Sequence, residues 1–372
     1  MLKTLRAEWP LLLGLLTMAS VWNSPIPIQN IPHTGLVALA LFLITLTAVF
    51  RVTYHADELA ELLGEPYGTL ILTLSATIIE VAIMLTVLTH AGGNPTFIRD
   101  TIAATVMITV GLMLGLAMFI GAFVHRQQTV NTEGALTYLG VLIPLAILTL
   151  ILPNFTDSTI GPTLAIAQEV FIADVALLLY GVFLFIQTRR HSKLFRDESA
   201  PEPLTFDADL EPTIPAGQKP PPYLRLKHLL WLLGSLLLVV LLAEEMAVVV
   251  DDLLEEHSLP EQLGGLIVAT LVLAPECLAS MKAAYRNRLQ RAVNIALGSG
   301  LATLSLSVPA ILIIVSLLGH TIELGLAPRD MVMLLSTLWV ANIALATKRT
   351  NLMQGTVLLV LFLTYAFLIV VP

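Results

Sequence analysis

Two glutamates interrupt long apolar stretches of the sequence. Glu80 lies near the middle of the stretch at residues 66–89, and Glu276 lies near the middle of the stretch at residues 262–282. A carboxylate at the centre of a bilayer is costly unless it faces a protein interior or a water-filled cavity, so each is a candidate functional group. The pair predicts a buried site that cations and protons occupy in turn. For either residue alone, a protonated glutamate that only joins two helices is the alternative.

Hydroxyl groups accompany Glu80 on its predicted helix. At 100° per residue, Thr73 and Glu80 share one helix face, and Thr77 lies slightly further round. Hydroxyl oxygens beside a carboxylate are suitable ligands for a hard cation that has lost its water. Each threonine taken singly is explained as well by hydrogen bonds within its own helix or to a neighbouring helix.

The backbone near Glu276 is interrupted by a proline. Pro275 lacks the N–H that would otherwise bond to the carbonyl oxygen of Leu271. Breaks of this kind in membrane helices can expose carbonyl oxygens to ions. The next apolar stretch carries Ser299 and Thr303, and we expect both hydroxyl groups to line the same pathway. Small residues in that stretch would by themselves indicate only close packing.

Another group of acids lies towards the predicted outer ends of the membrane segments. Glu244 and Glu245 come late in the stretch at residues 226–250, and Asp251 and Asp252 begin what we predict to be a loop. Clustered negative charges raise the local concentration of cations, so the group predicts an outer acidic vestibule. A plain solvated loop is the alternative.

The composition requires that membrane helices position these residues. Of 372 residues, 56% are hydrophobic and 12% are charged, and the mean hydropathy is +0.86. A soluble domain with a solvated surface would not have this composition, so the lipid bilayer is an expected partner. A hydrocarbon core of about 30 Å requires about 20 apolar residues per helix. The candidate spans lie near residues 9–22, 32–50, 66–89, 100–124, 134–152, 163–188, 226–250, 262–282, 292–318, 329–346 and 351–371.

The distribution of lysine and arginine predicts the orientation. If the N-terminus is cytoplasmic, all but two of the 19 basic residues fall on the cytoplasmic side, and the exceptions are Arg99 and Arg329. This asymmetry predicts a multi-pass protein of a bacterial inner (plasma) membrane whose C-terminus lies outside. The first stretch is short and follows Lys3 and Arg6, so a signal peptide is an alternative reading of it.

A polar segment divides the chain. Residues 189–224 are rich in proline and acidic residues and predict a flexible cytoplasmic linker. We therefore predict an N-terminal transmembrane helix at 1–31, a five-helix repeat at 32–188 and a second at 225–372. An odd number of spans inverts the second copy, an arrangement found in many membrane transport proteins. The fold class is then an all-α polytopic membrane protein with about eleven transmembrane helices.

Motifs in both halves resemble those of the cation/proton exchangers of the calcium/cation antiporter superfamily, especially the bacterial ChaA-type antiporters. The first half contains His55-Ala56-Asp57, Leu63-Gly64-Glu65-Pro66-Tyr67-Gly68, Ile79-Glu80-Val81 and Arg99-Asp100-Thr101. The second half contains Ala274-Pro275-Glu276, Leu289-Gln290-Arg291-Ala292, Gly298-Ser299 and Arg349-Thr350-Asn351.

The resemblance implies two inverted repeats that each contribute one essential glutamate, here Glu80 and Glu276. It also implies exchange of Ca2+, and in ChaA-type members Na+ or K+, for protons. The family places glycine and asparagine four and three residues before each glutamate. This chain has Ala76 and Thr77, then Val272 and Leu273. The missing amide ligands favour a monovalent cation.

The resulting hypothesis is antiport of a cytoplasmic cation (Ca2+, Na+ or K+) against external protons by alternating access at the two glutamates. A Na+-driven exchanger or a passive channel using the same acids is the alternative. We expect inorganic cations and protons as partners, no cofactor and no nucleic acid, and the sequence leaves open whether the chain forms a homo-oligomer. An enzyme is disfavoured because Gly-x-Ser-x-Gly and His-Glu-x-x-His motifs are absent and all eight histidines are predicted at helix ends or in loops.

Overall fold

The computed structural model describes residues 8–22, 34–63, 67–90, 95–195, 222–319 and 321–371. These ranges contain eleven helices, and each overlaps one of the apolar stretches. In chain order they are α1 (Trp9–Trp22), α2 (Thr34–Leu63), α3 (Tyr67–His90), α4 (Phe97–His125), α5 (Thr132–Phe155), α6 (Ile166–Arg190), α7 (Pro222–Glu256), α8 (Gln262–Tyr285), α9 (Leu289–Leu318), α10 (Pro328–Leu345) and α11 (Leu352–Val370). Two short strands are β1 (Gln128–Thr129) and β2 (Arg349–Thr350).

Most of these helices have the dimensions of membrane spans. Eight of them combine the length and hydropathy needed to cross a bilayer, and α1 and the segment Thr73–Leu88 of α3 are shorter apolar helices. A helix rises 1.5 Å per residue, so 20 residues span the hydrocarbon core. The prediction of an all-α polytopic membrane protein is confirmed, and the exact count of eleven spans stays a prediction.

The connections between helices lie on two opposite faces. On one face β1 and β2 pair antiparallel, so the α4–α5 and α10–α11 connections meet there. The side chain of Gln128 donates to the carbonyl of Ala284 at 2.8 Å, which places the end of α8 on the same face. We call this the basic face, because it carries Arg126, Lys282 and Lys348.

The opposite face collects the remaining connections. The segment after α9 meets the start of α4 through Glu323 N to Pro95 O, and meets the α5–α6 connection through Leu324 N to Pro162 O. Arg99 and Arg329, the two basic residues that the charge pattern places apart from all others, both lie here. The helices therefore alternate in direction as the charge pattern requires.

Apolar side chains bury two large clusters, and each cluster draws on both halves of the sequence. One cluster joins α4, α5, α6, α9, α10 and α11 and includes Tyr138. The other joins α1, α2, α3, α7 and part of α8 and includes Leu271. Glu80 on α3 and Glu276 on α8 lie on helices where the two clusters meet, because both helices contribute residues to each. Packing therefore brings the glutamate helices of the two halves together.

Helices α4 and α9 each contain a π-helical segment near mid-length. In α4 this segment is Met107–Met113, and in α9 it is Thr303–Ser307. Such turns add one residue to the hydrogen-bonded ring and occur frequently at functional sites. The helices α4 and α9 directly follow the two glutamate-bearing helices, so the distortions lie at corresponding places in the two halves.

Two expectations about local structure were wrong. Residues 251–256, predicted as a loop that carries Asp251 and Asp252, continue helix α7 to Glu256. His55, predicted beyond the end of its span, lies inside α2 and is 1% exposed. In both cases the hydropathy pattern stops at the edge of the apolar stretch, whereas the hydrogen-bonded helix continues into polar sequence because neighbouring helices support it.

Candidate cation site

The Glu80 carboxylate is buried and accepts hydrogen bonds from three hydroxyl groups. Thr303 donates to both oxygens, at 3.1 Å to Oε1 and 3.0 Å to Oε2. Ser307 donates to Oε2, and Thr105 donates to Oε1 at 3.3 Å. Thr303 and Ser307 belong to the π segment of α9, and Thr105 precedes the π segment of α4. Helices from both halves therefore hold this carboxylate.

The Glu276 carboxyl lies in a different environment. Its Oε2 atom is buried and has no hydrogen-bond partner within the part of the chain that the structure describes. The side chain lies within electrostatic range of both Glu80 and Asp57. Pro275 lies inside α8 directly before it. A buried carboxyl oxygen without a donor requires a proton, a cation or water, because an unpartnered buried polar group is costly.

The two glutamates line one cavity of about 260 Å³. From Glu80, near the middle of α3, the cavity extends past Ser299 and Asn294 to Arg291 in the first turn of α9. Gln187, near the end of α6, also lines it. These helix ends belong to the basic face, so the cavity extends from mid-depth towards that face.

Most of the predicted site residues are at this cavity. Thr73, Thr77, Ser299 and Thr303 contribute to its wall. So do the four positions at which the resembled family has glycine or asparagine. These are Ala76, Thr77, Val272 and Leu273. The replacement of amide ligands by hydroxyl and apolar groups therefore falls on the cavity wall itself.

Other predicted residues lie elsewhere. Leu271 is fully buried in the cluster around α7 and does not line the cavity. Glu244 and Glu245 are half-buried within α7, and Asp252 is half-buried with an Oδ2 atom that has no partner among the described residues. Because α7 continues through them, these acids follow a helix surface, and none of them lines the cavity. Their role as a vestibule stays a prediction.

Several polar residues at the cavity were not among the predicted site residues. Thr105 and Ser307 donate to Glu80, and Tyr138, Gln187, Arg291 and Asn294 line the cavity. One signal was available for Ser307, since it lies four residues after Thr303 and so shares its helix face. Thr105 comes from a helix that the sequence does not link to Glu80.

Hydrogen bonds from two arginines tie the helices together on the opposite face. Arg99 pairs with Asp100 at 2.9 Å and donates to the carbonyl of Gly325 at 3.1 Å. Arg329 pairs with Asp330 at 3.1 Å and donates to Gln262 at 2.8 Å. These contacts connect α4, α8, α10 and the segment before α10. The cavity therefore extends towards the basic face, while these contacts join the helices at the opposite face.

Sequence comparison relates the chain to known transport proteins. The sequence pattern of the sodium/calcium exchanger protein family matches residues 33–189 and again residues 227–371. The chain is 38% identical over 346 residues to a putative ionic transporter, y4hA, of Sinorhizobium fredii, covering 92% of this chain and 91% of the relative. It is 34% identical over 365 residues to the sodium-potassium/proton antiporter ChaA of Escherichia coli, covering 98% and 96%.

Solved structures show the same fold at lower identity. Native YfkE superposes with a TM-score of 0.73 at 16% identity and covers 98% of both chains. The H+/Ca2+ exchanger CAX superposes with a TM-score of 0.71 at 16% identity, covering 98% of this chain and 88% of the other.

Proposed function

The chain belongs to the sodium/calcium exchanger protein family, and we propose that it is a secondary active transporter that exchanges a cytoplasmic cation for external protons. The observation that carries the proposal is that Glu80 and Glu276 line one cavity. Two carboxylates in a low-dielectric interior repel each other and lose hydration, so the empty, doubly charged site is unfavourable. Protons or a cation must neutralise it, and this competition couples their movements.

The hydroxyl groups around Glu80 support cation binding there. A hydroxyl group both donates and accepts, so Thr303, Ser307 and Thr105 can donate to the empty carboxylate and turn a lone pair towards a bound cation. Thr73, Thr77 and Ser299 add further oxygens on the wall. Glu276, which has a carboxyl oxygen without a donor among the described residues, is available to a cation or a proton.

The choice of cation follows from the donor set. Ca2+ takes six to eight oxygen ligands, usually with several carboxylate or carbonyl groups. The cavity offers two carboxylates and hydroxyl groups, and its wall has Val272 and Leu273 where the family has glycine and asparagine. We therefore rank Na+ and K+ above Ca2+ as substrates. The relative named a sodium-potassium/proton antiporter, which covers 98% of the chain, supports this order.

The basic face is assigned to the cytoplasm because lysine and arginine are retained on that side during insertion. The N-terminus is then cytoplasmic, the C-terminus is outside, and the cavity opens inward. Alternating access would require the helices on the basic face to close and the hydrogen bonds from Arg99 to Gly325 and from Arg329 to Gln262 to break. The membrane would be the inner membrane of a bacterium.

Reconstitution of the full-length protein into liposomes tests the proposal. An imposed pH gradient should drive uptake of Na+, K+ or Ca2+, each tested in a separate assay, with protons moving in the opposite direction. Glu80→Gln and Glu276→Gln keep the side-chain size and remove the charge, so both should reduce exchange to the level of protein-free liposomes. Glu255→Gln, at an exposed position of α7, is the matched control and should retain exchange.

Two results would contradict the proposal. Exchange at the normal rate in either cavity variant would remove the glutamates from the mechanism. Cation flux that moves no protons would instead identify a Na+-driven exchanger or a channel. Counterflow that saturates with cation concentration separates an exchanger from a channel, since a channel shows no counterflow.

A further inference from the structure

A second group of buried charged residues lies on the basic face, away from the cavity. Glu8, at the entrance to α1, accepts two hydrogen bonds from Arg51 of α2, at 2.9 Å from Nε and 2.5 Å from Nη2. The Nε2 atom of His55 lies 3.3 Å from Oε2 of Glu8. On the other side of the ring, Nδ1 of His55 lies 3.2 Å from Nδ1 of His228, in the first turns of α7. We call these four residues the histidine cluster.

Aromatic rings enclose the histidine cluster. Trp231 stacks on the His55 ring with the centroids 6.0 Å apart and the planes 9° from parallel. Tyr54 meets the His55 ring edge-on, and the Arg51 guanidinium lies 4.3 Å from the Tyr54 centroid. These rings displace water from the polar atoms. Charges inside such an enclosure interact more strongly than they would in water.

The charges of the histidine cluster are balanced when both imidazoles are neutral. Burial raises the pKa of the Glu8 carboxyl, but the hydrogen bonds and charges of His55 and Arg51 outweigh burial and hold that pKa below its ordinary value. Glu8 is therefore anionic at neutral pH and Arg51 is cationic. Lys227, next to His228, adds another positive charge nearby. Tyr54 is the remaining titratable group that faces the rings among the described residues.

The Nδ1–Nδ1 contact limits how many protons the two imidazoles can hold. With both rings neutral, His55 donates from Nε2 to Glu8 and accepts at Nδ1 from His228. One added proton makes His55 a double donor, and the His228 tautomer changes so that its Nδ1 accepts. A second added proton puts an N–H on both facing nitrogens, so two donors and two like charges would meet at 3.2 Å. The closed cluster therefore accepts one added proton and excludes a second.

We propose that the histidine cluster is a pH-sensitive latch that holds α1 and the start of α7 against α2, and that acidification of the basic face opens it. An open cluster binds the second proton and the closed one does not, so acid shifts the equilibrium towards the open form. The latch acts on transport because α2 and α7 both pack against α3, which carries Glu80. His55 and His228 are positioning residues that act through these helices.

Quenching of Trp231 fluorescence by acrylamide tests the opening. The full-length variant Trp9→Phe/Trp22→Phe/Trp339→Phe retains Trp231 as its only tryptophan, and the three replaced side chains are all exposed. We expect quenching to increase as the pH falls below about 6.5, in the range where imidazole titrates. His228→Asn keeps a polar group that can donate or accept at the position of Nδ1 but cannot gain charge, so quenching should no longer depend on pH. Quenching that is independent of pH with His228 present, or that rises equally in the His228→Asn variant, would overturn the proposal.

Transport measurements test the consequence. Proton movement driven by a cation gradient is recorded with equal pH on both faces, at about pH 8 and about pH 6. Proton competition at the glutamates slows exchange in wild type and variant alike. An open latch loosens the packing of α2 and α7 against α3 and slows exchange further, so the exchange rate should decrease less in His228→Asn than in wild type. His191, at the end of α6, is exposed. The exchange rate of His191→Asn should therefore decrease as much as that of wild type. Equal decreases in wild type and His228→Asn would refute control of transport by the latch.

The two experiments can fail separately. The transport experiment rests on the proposed exchange activity, whereas the quenching experiment does not. If reconstituted protein exchanges no cation, the quenching result still decides whether the latch opens. If exchange is normal and quenching shows no transition, the latch is wrong and the proposed function stands.

Discussion

Removing the Thr303 hydroxyl would test how the environment of Glu80 governs cation binding. Thr303 donates to both carboxylate oxygens, whereas Ser307 and Thr105 each donate to one. Thr303→Val keeps the shape of a fully buried, β-branched side chain and deletes only its polar atom. We expect weaker cation binding and stronger inhibition by protons, because the hydroxyl favours the charged carboxylate over the neutral acid.

The size of the effect follows from the hydrogen bonds. A hydrogen bond to a charged group contributes about 1.5–3 kcal/mol, and about 1.4 kcal/mol corresponds to a factor of ten in an equilibrium constant. Ser307 and Thr105 remain and partly compensate, so the lower end of this range applies. The cation concentration for half-maximal exchange should rise by about tenfold. The pH at which protons half-inhibit exchange should rise by about one unit, since a tenfold change equals one pH unit.

The assay is cation-dependent proton movement in proteoliposomes over a range of cation concentrations at several fixed pH values. Thr303→Ser retains the hydroxyl and should restore most of the affinity. Thr149→Val is the matched control, because Thr149 is also buried in a π-helical segment and its hydroxyl donates to the carbonyl of Leu145 in its own helix. It should leave the half-maximal concentration unchanged.

Two outcomes would refute this reasoning. If Thr303→Val binds the cation as wild type does while Glu80→Gln is inactive, the hydroxyl does not influence the carboxylate. If Thr303→Val and Thr149→Val lose affinity equally, the effect arises from the loss of a buried hydroxyl in any π segment.

Two further predictions concern stability. A Cβ at Gly355 of α11 would lie 2.8 Å from the carbonyl oxygen of Gly115 and 2.9 Å from Cα of Phe119, whereas one at Gly140 would meet nothing within 4 Å. Gly355→Ala should therefore lower the thermal unfolding temperature in detergent. Gly140→Ala should leave that temperature unchanged or raise it, because alanine is more favourable than glycine in a helix by up to about 1 kcal/mol. Equal behaviour of the two variants would mean that α4 and α11 can separate without cost. A carboxyl with a lowered pKa contributes stability above its unfolded pKa and loses it as the pH falls through its folded pKa. Glu8→Gln in the His228→Asn background should therefore lower the unfolding temperature at neutral pH, and the difference should shrink as the pH falls below the ordinary glutamate pKa of about 4.3. No difference between the two variants at neutral pH would show that the Glu8 charge does not stabilise the fold.

The sequence was informative where a feature is local and strongly constrained. An apolar stretch can satisfy its backbone in a membrane only as a helix, so hydropathy located all eleven described helices. The cost of burying a carboxylate singled out Glu80 and Glu276 before any contact was known. The same pattern failed at residues 251–256 and at His55, where helices continue beyond the apolar sequence.

Residues whose importance depends on a distant partner could not be identified in this way. Thr105 and Ser307 resemble many hydroxyl residues of membrane helices, and only the approach of α4 and α9 to α3 gives them Glu80 as an acceptor. The histidine cluster depends on α1, α2 and α7 meeting at one point. By contrast, Leu271 was selected for a local backbone reason, and its side chain packs away from the cavity.

The sequence by itself determined the membrane class, the positions of the helices and the two acids that cannot be buried without a partner, because helix formation and the cost of charge burial depend on each segment alone. Only the tertiary structure decided that Glu80 has three hydroxyl donors, that Glu276 has an oxygen without one among the described residues, and that both line one cavity. The physical reason is that helix packing depends on the combined shapes of many side chains, and no single helix contains that information.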